Sequence, residues 1–227
     1  MKNIVITGAS KGLGYALAKT FIEDGNVVYN LSRTLCDLPG VNNISTDFLN
    51  LSSVENAASE LISRIGSIDV LINNAGILGS RVSIKDYDLK EWKDVFTVNI
   101  HSVFYLTKLL LSSISSGGKI INVSSGLGVS GRAQWGAYSA SKFALEGLSQ
   151  ILAEELKPQN IQVYIVDPGG INTELRNKAF PEEDRSRLAE PSTRVDVFRH
   201  LVYSAEDKIT ATRYHAGEFF KSMKGSL

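Results

Sequence analysis

The segment NIVITGASKGLG, residues 3–14, decides the fold because it joins a strand pattern to a glycine-rich turn and then to a helix. Residues 3–7 carry the β-branched side chains of a buried strand. Apolar side chains then recur with helical period, which predicts an amphipathic helix over residues 12–24. Glycines at 8, 12 and 14 permit a tight turn, and the helix N-terminus offers free N–H groups. The turn is therefore predicted to hold a pyrophosphate.

Short β-rich runs continue to alternate with helical segments along the rest of the chain. The further predicted strands are residues 26–31, 41–46, 69–73, 119–124 and 161–167, with a final edge strand at 211–216 after a last helix at 195–205. Alternating strands and helices indicate parallel strands with crossover helices. We expect an α/β fold, a Rossmann-type doubly wound parallel sheet of about seven strands flanked by helices.

No repeat, low-complexity tract or linker divides the chain, so residues 1–227 are predicted to form one domain for dinucleotide binding and catalysis. One segment, residues 172–196, differs in composition because it is highly charged and contains two prolines. It is predicted to be a substrate lid, with a solvated connection as the alternative.

The composition excludes several classes of partner. Lys and Arg balance Asp and Glu at 24 each, so no net field favours nucleic acid or an anionic membrane. Cys36 is the only cysteine, which excludes an intrachain disulfide and a multi-cysteine metal site, and the histidines lack ligand spacing, so no metal is predicted. The first residues leave no room for a signal peptide, and Lys108 interrupts the longest apolar run. We expect a soluble cytoplasmic protein.

The stretch YSASK, residues 138–142, places a phenol and an amine at helical i and i+4 positions. Both side chains would then lie on one face of a helix. Taken alone, Tyr138 and Lys142 are as expected of an ordinary surface pair. Other motifs in the chain are needed to distinguish a surface pair from a catalytic pair that transfers a proton.

Several motifs follow one another in a defined order along the chain. After TGASKGLG come Asp47, NNAG at 73–76, Asn99 in TVNI, the serines of INVSS, YSASK, and PGGINT at 168–173. In this set the chain resembles the classical short-chain dehydrogenase/reductase family, from about residue 2 to residue 173.

The resemblance implies a catalytic set. Tyr138 is expected to be the acid/base, Lys142 its electrostatic partner, Ser125 the hydroxyl that binds the carbonyl, and Asn99 a member of the proton relay. Ser125 is preferred to Ser124 because its separation from Tyr138 is the one usual in the family. A free tyrosine has a pKa of about 10, and a nearby ammonium is expected to lower that pKa.

The resemblance also implies a set of cofactor-binding residues. Beside Tyr138 and Lys142 these are the loop residues Gly8, Ser10, Lys11, Gly12, Leu13 and Gly14, then Arg33, the adenine neighbours Asp47 and Phe48, Asn74, Ala75 and Gly76 along the ribose, and Pro168, Gly169, Ile171 and Thr173 over the nicotinamide.

Cofactor choice depends on the residues that follow the second strand. A carboxylate there usually binds the ribose 2′-OH of NAD, whereas a basic residue accommodates the 2′-phosphate of NADP. This chain has Arg33 and no carboxylate at that point, and Lys11 supplies a second cation in the glycine loop. NADP(H) is therefore the predicted cofactor.

The sequence thus predicts an NADPH-dependent oxidoreductase that reduces a small-molecule carbonyl, such as a ketone, an aldehyde or a 3-oxoacyl group. Arg132, Gln134 and Trp135 would line the substrate mouth, with Trp135 either a hydrophobic wall or a covered loop residue. The resemblance implies a homodimer or homotetramer. The alternatives are a non-catalytic NADP-binding regulator and an enzyme of the nucleotide-sugar epimerase/dehydratase type.

Overall fold

The computed structural model describes residues 1–204 and 211–219. Within these ranges, seven strands form one parallel sheet in the order β3-β2-β1-β4-β5-β6-β7. Their bounds are β1 Asn3–Thr7, β2 Val27–Ser32, β3 Val41–Ser45, β4 Ile68–Asn73, β5 Ile114–Val123, β6 Gln162–Asp167 and β7 Thr212–His215. The predicted parallel sheet of about seven strands is confirmed.

Helices cover both faces of the sheet. Their bounds are α1 Gly12–Glu23, α2 Leu51–Arg64, α3 Leu89–Phe96, α4 Ser102–Leu110, α5 Gly136–Glu155, α6 Glu174–Ala179 and α7 Val195–Tyr203. Helices α1 and α7 pack on the face that Ile4 and Ile6 enter. Helices α2, α4 and α5 pack on the opposite face, which Val5 enters. The alternation of β1 side chains between two apolar layers is what a strand covered on both sides requires.

The order of the strands places a crevice at the carboxyl ends of β1 and β4. The chain builds β1, β2 and β3 outward in one direction and returns to place β4 on the other side of β1. In open α/β sheets, ligands bind at this reversal point. The glycine loop follows β1 and residues 74–76 follow β4, so both predicted binding segments lie at the crevice.

Strand β5 is longer than predicted. It begins at Ile114 rather than residue 119 because the polar and glycine-rich residues 115–118 remain in extended structure. Gly117 adopts φ +80° and its N–H donates to the Asn160 carbonyl at 2.8 Å. The register against β4 also shifts between Ile68 and Val70. A strand with such an irregularity has no simple sequence pattern.

One helical stretch is longer and more apolar than the sequence analysis recognised. Residues 89–113 are continuously helical over 25 residues, with a mean hydropathy of 1.3 in the most apolar window, enough by length and composition to cross a membrane. In this fold, however, Val95, Leu106 and Leu110 of that stretch are buried. Leu106 and Leu110 pack in the apolar layer beneath α4, which accounts for the apolar composition.

Candidate active site

A cleft of about 870 Å³ lies along the carboxyl edge of the sheet. Its walls come from the glycine loop, the ends of β2, β4, β5 and β6, the start of α5 and the segment around α6. A volume of this size is ordinary for a cofactor and a small substrate together. All the predicted cofactor-binding residues line it except Gly14, which packs behind the loop.

The glycine loop is shaped for close approach of an anion. Gly8 and Gly12 have φ values of +73° and +59°, which side-chain-bearing residues rarely adopt. Helix α1 begins after Lys11 with no side chain capping its first N–H groups, whereas Asn50 and Asp88 cap α2 and α3. The N-terminus of α1 therefore keeps its donors and its dipole for a ligand. These features fit the pyrophosphate of a dinucleotide.

The segment after β4 holds the loop in place. The Asn74 side chain donates to the carbonyls of Thr7 and Gly8 at 3.0 and 3.2 Å. The backbone N–H groups of Asn74 and Ala75 both donate to the Thr7 hydroxyl at 2.9 Å. These bonds join β1 to β4 across the crevice, so the Asn74 side chain braces the loop in addition to lining the cleft.

The predicted adenosine end of the cleft carries exposed cations. Arg33 is exposed and lies at the rim beside Asp47 and Phe48. Lys11 forms a solvent-exposed ion pair with Glu174 of α6. An exposed pair of this kind contributes about 0–1 kcal/mol, so a phosphate can compete with Glu174 for the ammonium.

The first two turns of α5 bring Tyr138 and Lys142 to the same face, and both side chains are buried. The Lys142 ammonium lies 5.8 Å from the centre of the Tyr138 ring and donates to the Val123 carbonyl at 2.7 Å. The i, i+4 spacing therefore places both groups inside the cleft rather than on an outer surface.

The surroundings shift the pKa values of both Tyr138 and Lys142. Burial raises the pKa of Tyr138 to about 12; a hydrogen bond with Ser125 opposes the rise and the charge of Asp167 adds to it. Burial lowers the pKa of Lys142 to about 8, against the carboxylates of Glu146 and Asp167. The expected lowering of the tyrosine pKa is thus absent here because desolvation dominates. Tyr138 is therefore a protonated phenol at neutral pH, and burial makes it a weaker acid than a tyrosine in water.

The two serines after β5 have different surroundings. Ser125 lies in the cleft and shares a hydrogen bond with Tyr138, and its hydroxyl also accepts from the Leu127 N–H at 3.2 Å. Ser124 is buried and its hydroxyl donates to Glu146 at 2.5 Å. The Ser125 hydroxyl is thus the more accessible of the two, while the Ser124 hydroxyl is engaged with Glu146, and the sequence assignment of Ser125 stays a prediction.

Asn99 is buried in a π-helical turn, Thr97–His101, that joins α3 to α4. Its amide oxygen accepts from the Ile77 N–H at 2.8 Å, and its amide nitrogen donates to the Ile77 carbonyl at 2.9 Å and to the Ser141 hydroxyl at 3.0 Å. A Cβ on Gly76 would stand 3.3 Å from the Asn99 oxygen and 3.9 Å from the Lys142 nitrogen. A side chain at residue 76 would therefore contact both groups.

The first part of the charged segment 172–196 lines the cleft, whereas its last part packs against α1. The Thr173 side chain caps the N-terminus of α6, and its methyl group would lie 3.3 Å from a Cβ placed on Gly12. Ile171 forms an isolated β-bridge with Ala189. Ahead of it, Gly169 has φ +69° and donates to Asp167 at 2.9 Å. The chain from β6 to α6 therefore runs along the cleft and lines it with Pro168, Gly169, Ile171 and Thr173.

An arginine that the sequence analysis missed fastens this segment. The Arg81 guanidinium lies 4.7 Å from the ring centres of both Trp135 and Phe180, and it donates to the Ala179 carbonyl. Trp135 is buried beside Tyr138, with ring centres 6.0 Å apart. Trp135 is therefore a wall of the cleft, whereas Arg132 lies at its exposed rim.

A second group that the sequence analysis missed lies behind Ser125. Arg213 of β7 forms ion pairs with Glu146 and Asp167 and donates to the Ser125 carbonyl at 2.9 Å. Glu146 stands one helical turn after Lys142, a signal that the sequence contains. Nothing local in β7 marks Arg213, because its partners are distant in sequence.

The sequence analysis predicted that the chain binds no metal, and this stays a prediction for the chain as a whole. Among residues 1–204 and 211–219, no group of three or more His, Cys, Asp or Glu side chains is placed to hold a metal ion.

Comparisons with known proteins agree with this geometry. The model of the short chain dehydrogenase family matches residues 2–184. The uncharacterized oxidoreductase YciK of Escherichia coli K12 is 33% identical, over 94% of this chain and 90% of its own length. The 3-oxoacyl-[acyl-carrier-protein] reductase FabG of the same organism is 31% identical, over 82% and 80%. A short chain dehydrogenase from Escherichia coli CFT073, solved with NADPH, superposes with a TM-score of 0.88 at 31% identity, over 95% and 96%.

Proposed function

The chain belongs to the short-chain dehydrogenase family, and we propose that it is an NADPH-dependent reductase of a small carbonyl compound. The observation that carries the proposal is the placement of the Ser125 hydroxyl, the Tyr138 phenol and the buried Lys142 ammonium in one cleft. A relative that reduces 3-oxoacyl groups and a structural neighbour that binds NADPH support the substrate class and the cofactor.

The roles of the residues follow from their positions. Bound NADPH supplies a hydride. The Ser125 and Tyr138 hydroxyls bind the carbonyl oxygen, and Tyr138 gives its proton to that oxygen as negative charge develops. The Lys142 ammonium stabilises the phenolate left on Tyr138. Asn99 holds the backbone at Ile77, in the segment after β4, and is assigned to the relay that returns a proton to Lys142.

The protonated state of Tyr138 is compatible with carbonyl reduction. A tyrosine with a pKa of about 12 is protonated at neutral pH, as a proton donor must be. The apolar wall formed by Leu127, Trp135, Leu175 and Phe180 supports a substrate with a hydrocarbon part next to its carbonyl.

The test of the function is a titration of the purified protein with NADPH and NADH, followed by nicotinamide fluorescence. Ketones, quinones and 3-oxoacyl esters are then added to the preferred cofactor, and oxidation is followed by absorbance. NADPH preference with oxidation by any of these compounds supports the proposal. Tight NADPH binding without oxidation by any compound would favour a regulator, and failure to bind either cofactor would contradict the whole assignment.

The cofactor preference is predicted to depend on Arg33. A charge-assisted hydrogen bond to the 2′-phosphate contributes roughly 1.5–3 kcal/mol, so Arg33→Ala is expected to raise the KM for NADPH by about 10- to 100-fold and leave the KM for NADH almost unchanged. Steady-state kinetics with both cofactors measure this. Arg64→Ala is the control, because Arg64 is an exposed arginine on α2 outside the cleft. Equal effects of Arg33→Ala on both cofactors would contradict the prediction.

A symmetric homodimer is proposed through α4 and α5. Phe104 of α4 and Phe143 and Ile151 of α5 are 51%, 45% and 56% exposed, so both helices offer large apolar side chains to a partner. Phe104→Glu is expected to convert a wild-type oligomer to smaller species in light scattering. Leu89→Glu, at an exposed position on α3, is the control. A monomeric wild-type protein would contradict the assembly.

We also propose that residues 1–227 act as one domain, with 172–196 as its substrate lid and a cytoplasmic location. The ion pair from Lys11 to Glu174 and the contacts of Arg81 support the lid assignment, because they hold this segment over the cleft. The single Cys36, buried and free, supports a reducing compartment.

A further inference from the structure

A buried cluster of charges lies directly behind the catalytic residues. Glu146 and Asp167 are 6% and 4% exposed, and the guanidinium of Arg213 bridges them. The same guanidinium donates to the Ser125 carbonyl at 2.9 Å. Arg213 thus connects β7 to α5, to the end of β6 and to the catalytic serine, with a side chain that is only 19% exposed.

Lys142 is the other cation within reach of these carboxylates. Glu146 follows it by one turn on α5, the spacing at which lysine and glutamate pair on a helix. Both are buried, where an unpaired carboxylate is costly and its attraction for an ammonium is strong. Yet Lys142 donates to the Val123 carbonyl instead, and Glu146 accepts from Arg213 and from Ser124.

We propose that Arg213 is a positioning residue for the reaction: by occupying Glu146 and Asp167 it keeps the Lys142 ammonium free for Tyr138 and the cofactor, and it fixes the backbone that carries the Ser125 hydroxyl. In its absence, Glu146 captures Lys142 as an ion pair within α5. The ammonium then moves away from Tyr138, and the carbonyl of Ser125 loses a donor. This role rests on the proposed function for its catalytic consequence, and its structural consequence is independent of any substrate.

Charged groups from every neighbouring element enter this balance. They are Lys142 and Glu146 of α5, Asp167 of β6, Arg213 and His215 of β7, and Arg81 from the loop after β4. His215 lies 3.1 Å from Asp167 but is 44% exposed, so water screens it more than Arg213. Arg81 contacts the Trp135 ring, on the substrate side of Tyr138.

The direct test measures the titration of Lys142. Protein labelled with ¹³C at the lysine ε-carbons is titrated by NMR, and the Lys142 signal is assigned by its loss in Lys142→Gln. In Arg213→Met, the uncompensated carboxylates are expected to raise the Lys142 midpoint by about one unit or more above its wild-type value. Turnover of the carbonyl substrate is expected to fall by about 10- to 100-fold, with little change in the KM for NADPH.

A compensating variant separates positioning from general structural support. Glu146→Gln removes the carboxylate that would capture Lys142, so Arg213→Met/Glu146→Gln is expected to return the Lys142 midpoint close to wild type and to recover most of the turnover. Arg199→Met is the matched control. Its guanidinium also pairs with a carboxylate, that of Asp24, but on the outer surface between α7 and α1. It is expected to leave the Lys142 midpoint unchanged.

Each outcome decides the proposal. A folded Arg213→Met protein with an unchanged Lys142 midpoint, or a double variant with no recovery, would overturn it. If Arg213→Met does not fold, Arg213→Lys is the fallback, because a lysine keeps a cation there but cannot bridge Glu146, Asp167 and the Ser125 carbonyl as the planar guanidinium does. The Lys142 midpoint is then expected to rise by a smaller amount, and an unchanged midpoint overturns the proposal equally. The titration needs no turnover. A shifted midpoint in a protein that reduces no carbonyl would therefore support the positioning role and contradict the proposed function.

Discussion

Replacing Tyr138 by phenylalanine is expected to lower the turnover number for carbonyl reduction by about 10² or more, while NADPH binding is retained. Positioned acid/base catalysis contributes about 10²–10⁴, and phenylalanine keeps the ring but removes the proton. The ring packs against Trp135, so the cleft should keep its shape. Stopped-flow reduction under single-turnover conditions, together with fluorescence titration of NADPH, separates chemistry from binding.

A second buried tyrosine provides the control for this variant. Tyr164 of β6 is 1% exposed, and its hydroxyl donates to Gln162 at 3.0 Å, away from the cleft. Tyr164→Phe removes a buried hydroxyl without touching the site, and turnover is expected to stay within about twofold of wild type. Full turnover in Tyr138→Phe would assign the proton to another group.

Replacing Gly14 by alanine is expected to destabilise the protein by about 3 kcal/mol or more and to abolish tight NADPH binding. A Cβ at this position would stand 2.2 Å from the Gly8 carbonyl oxygen, 2.7 Å from the Asn74 amide nitrogen and 2.9 Å from the Ala9 Cα. Two of these are backbone atoms of the loop itself. The loop must move to relieve the overlap, and its donors then leave their positions.

Thermal unfolding measures the loss of stability. For a chain of this size, about 3 kcal/mol corresponds to a fall in Tm of roughly 6–12 °C. Gly66→Ala is the control, since a Cβ at Gly66 has no atom within 4 Å and its φ is not in the left-handed region. Its Tm is expected to change by no more than about 2 °C. A Gly14→Ala protein with wild-type Tm and NADPH affinity would show that the loop accommodates a side chain.

The sequence carried most of the fold because the decisive signals are local. Both faces of the first strand are apolar, through Ile4, Val5 and Ile6, and this indicates a sheet with helices packed on both of its faces. The positive φ values at Gly8 and Gly12 follow from the same short loop. By contrast, the extension of β5 back to Ile114 depends on pairing with β4 and β6, and polar residues in that segment give no periodic signal.

The site was predictable to the extent that its members occur in recognisable motifs. Tyr138 and Lys142 lie four residues apart on one helix, so a local pattern brings them together. Arg213 could not be found this way. It reaches Glu146 and Asp167 only after β7 has paired with β6. Residues that act through long-range packing leave no mark on the spacing of a motif.

The pKa of Tyr138 differs from the sequence expectation for a physical reason. The expectation counted the charge of Lys142 but not the loss of water around the phenol. In the structure, desolvation is the largest cause, and it raises the pKa to about 12. Burial depends on the whole wall around the ring, including Leu78 and Ala179 from distant segments. A sequence motif shows which ionisable groups are near one another, but not how far burial removes water from them and shifts their pKa values.

The segment over the cleft is fastened at its two ends by contacts of different kinds. At the glycine loop, Lys11 and Glu174 form an ion pair in open solvent; over the substrate wall, Arg81 is held between the rings of Trp135 and Phe180. Dissolved ions weaken an exposed ion pair strongly and a partly buried stacked cation much less. Ionic strength is therefore expected to act unequally along one cleft, loosening the contact at the glycine loop while the contact at the Trp135 wall is retained.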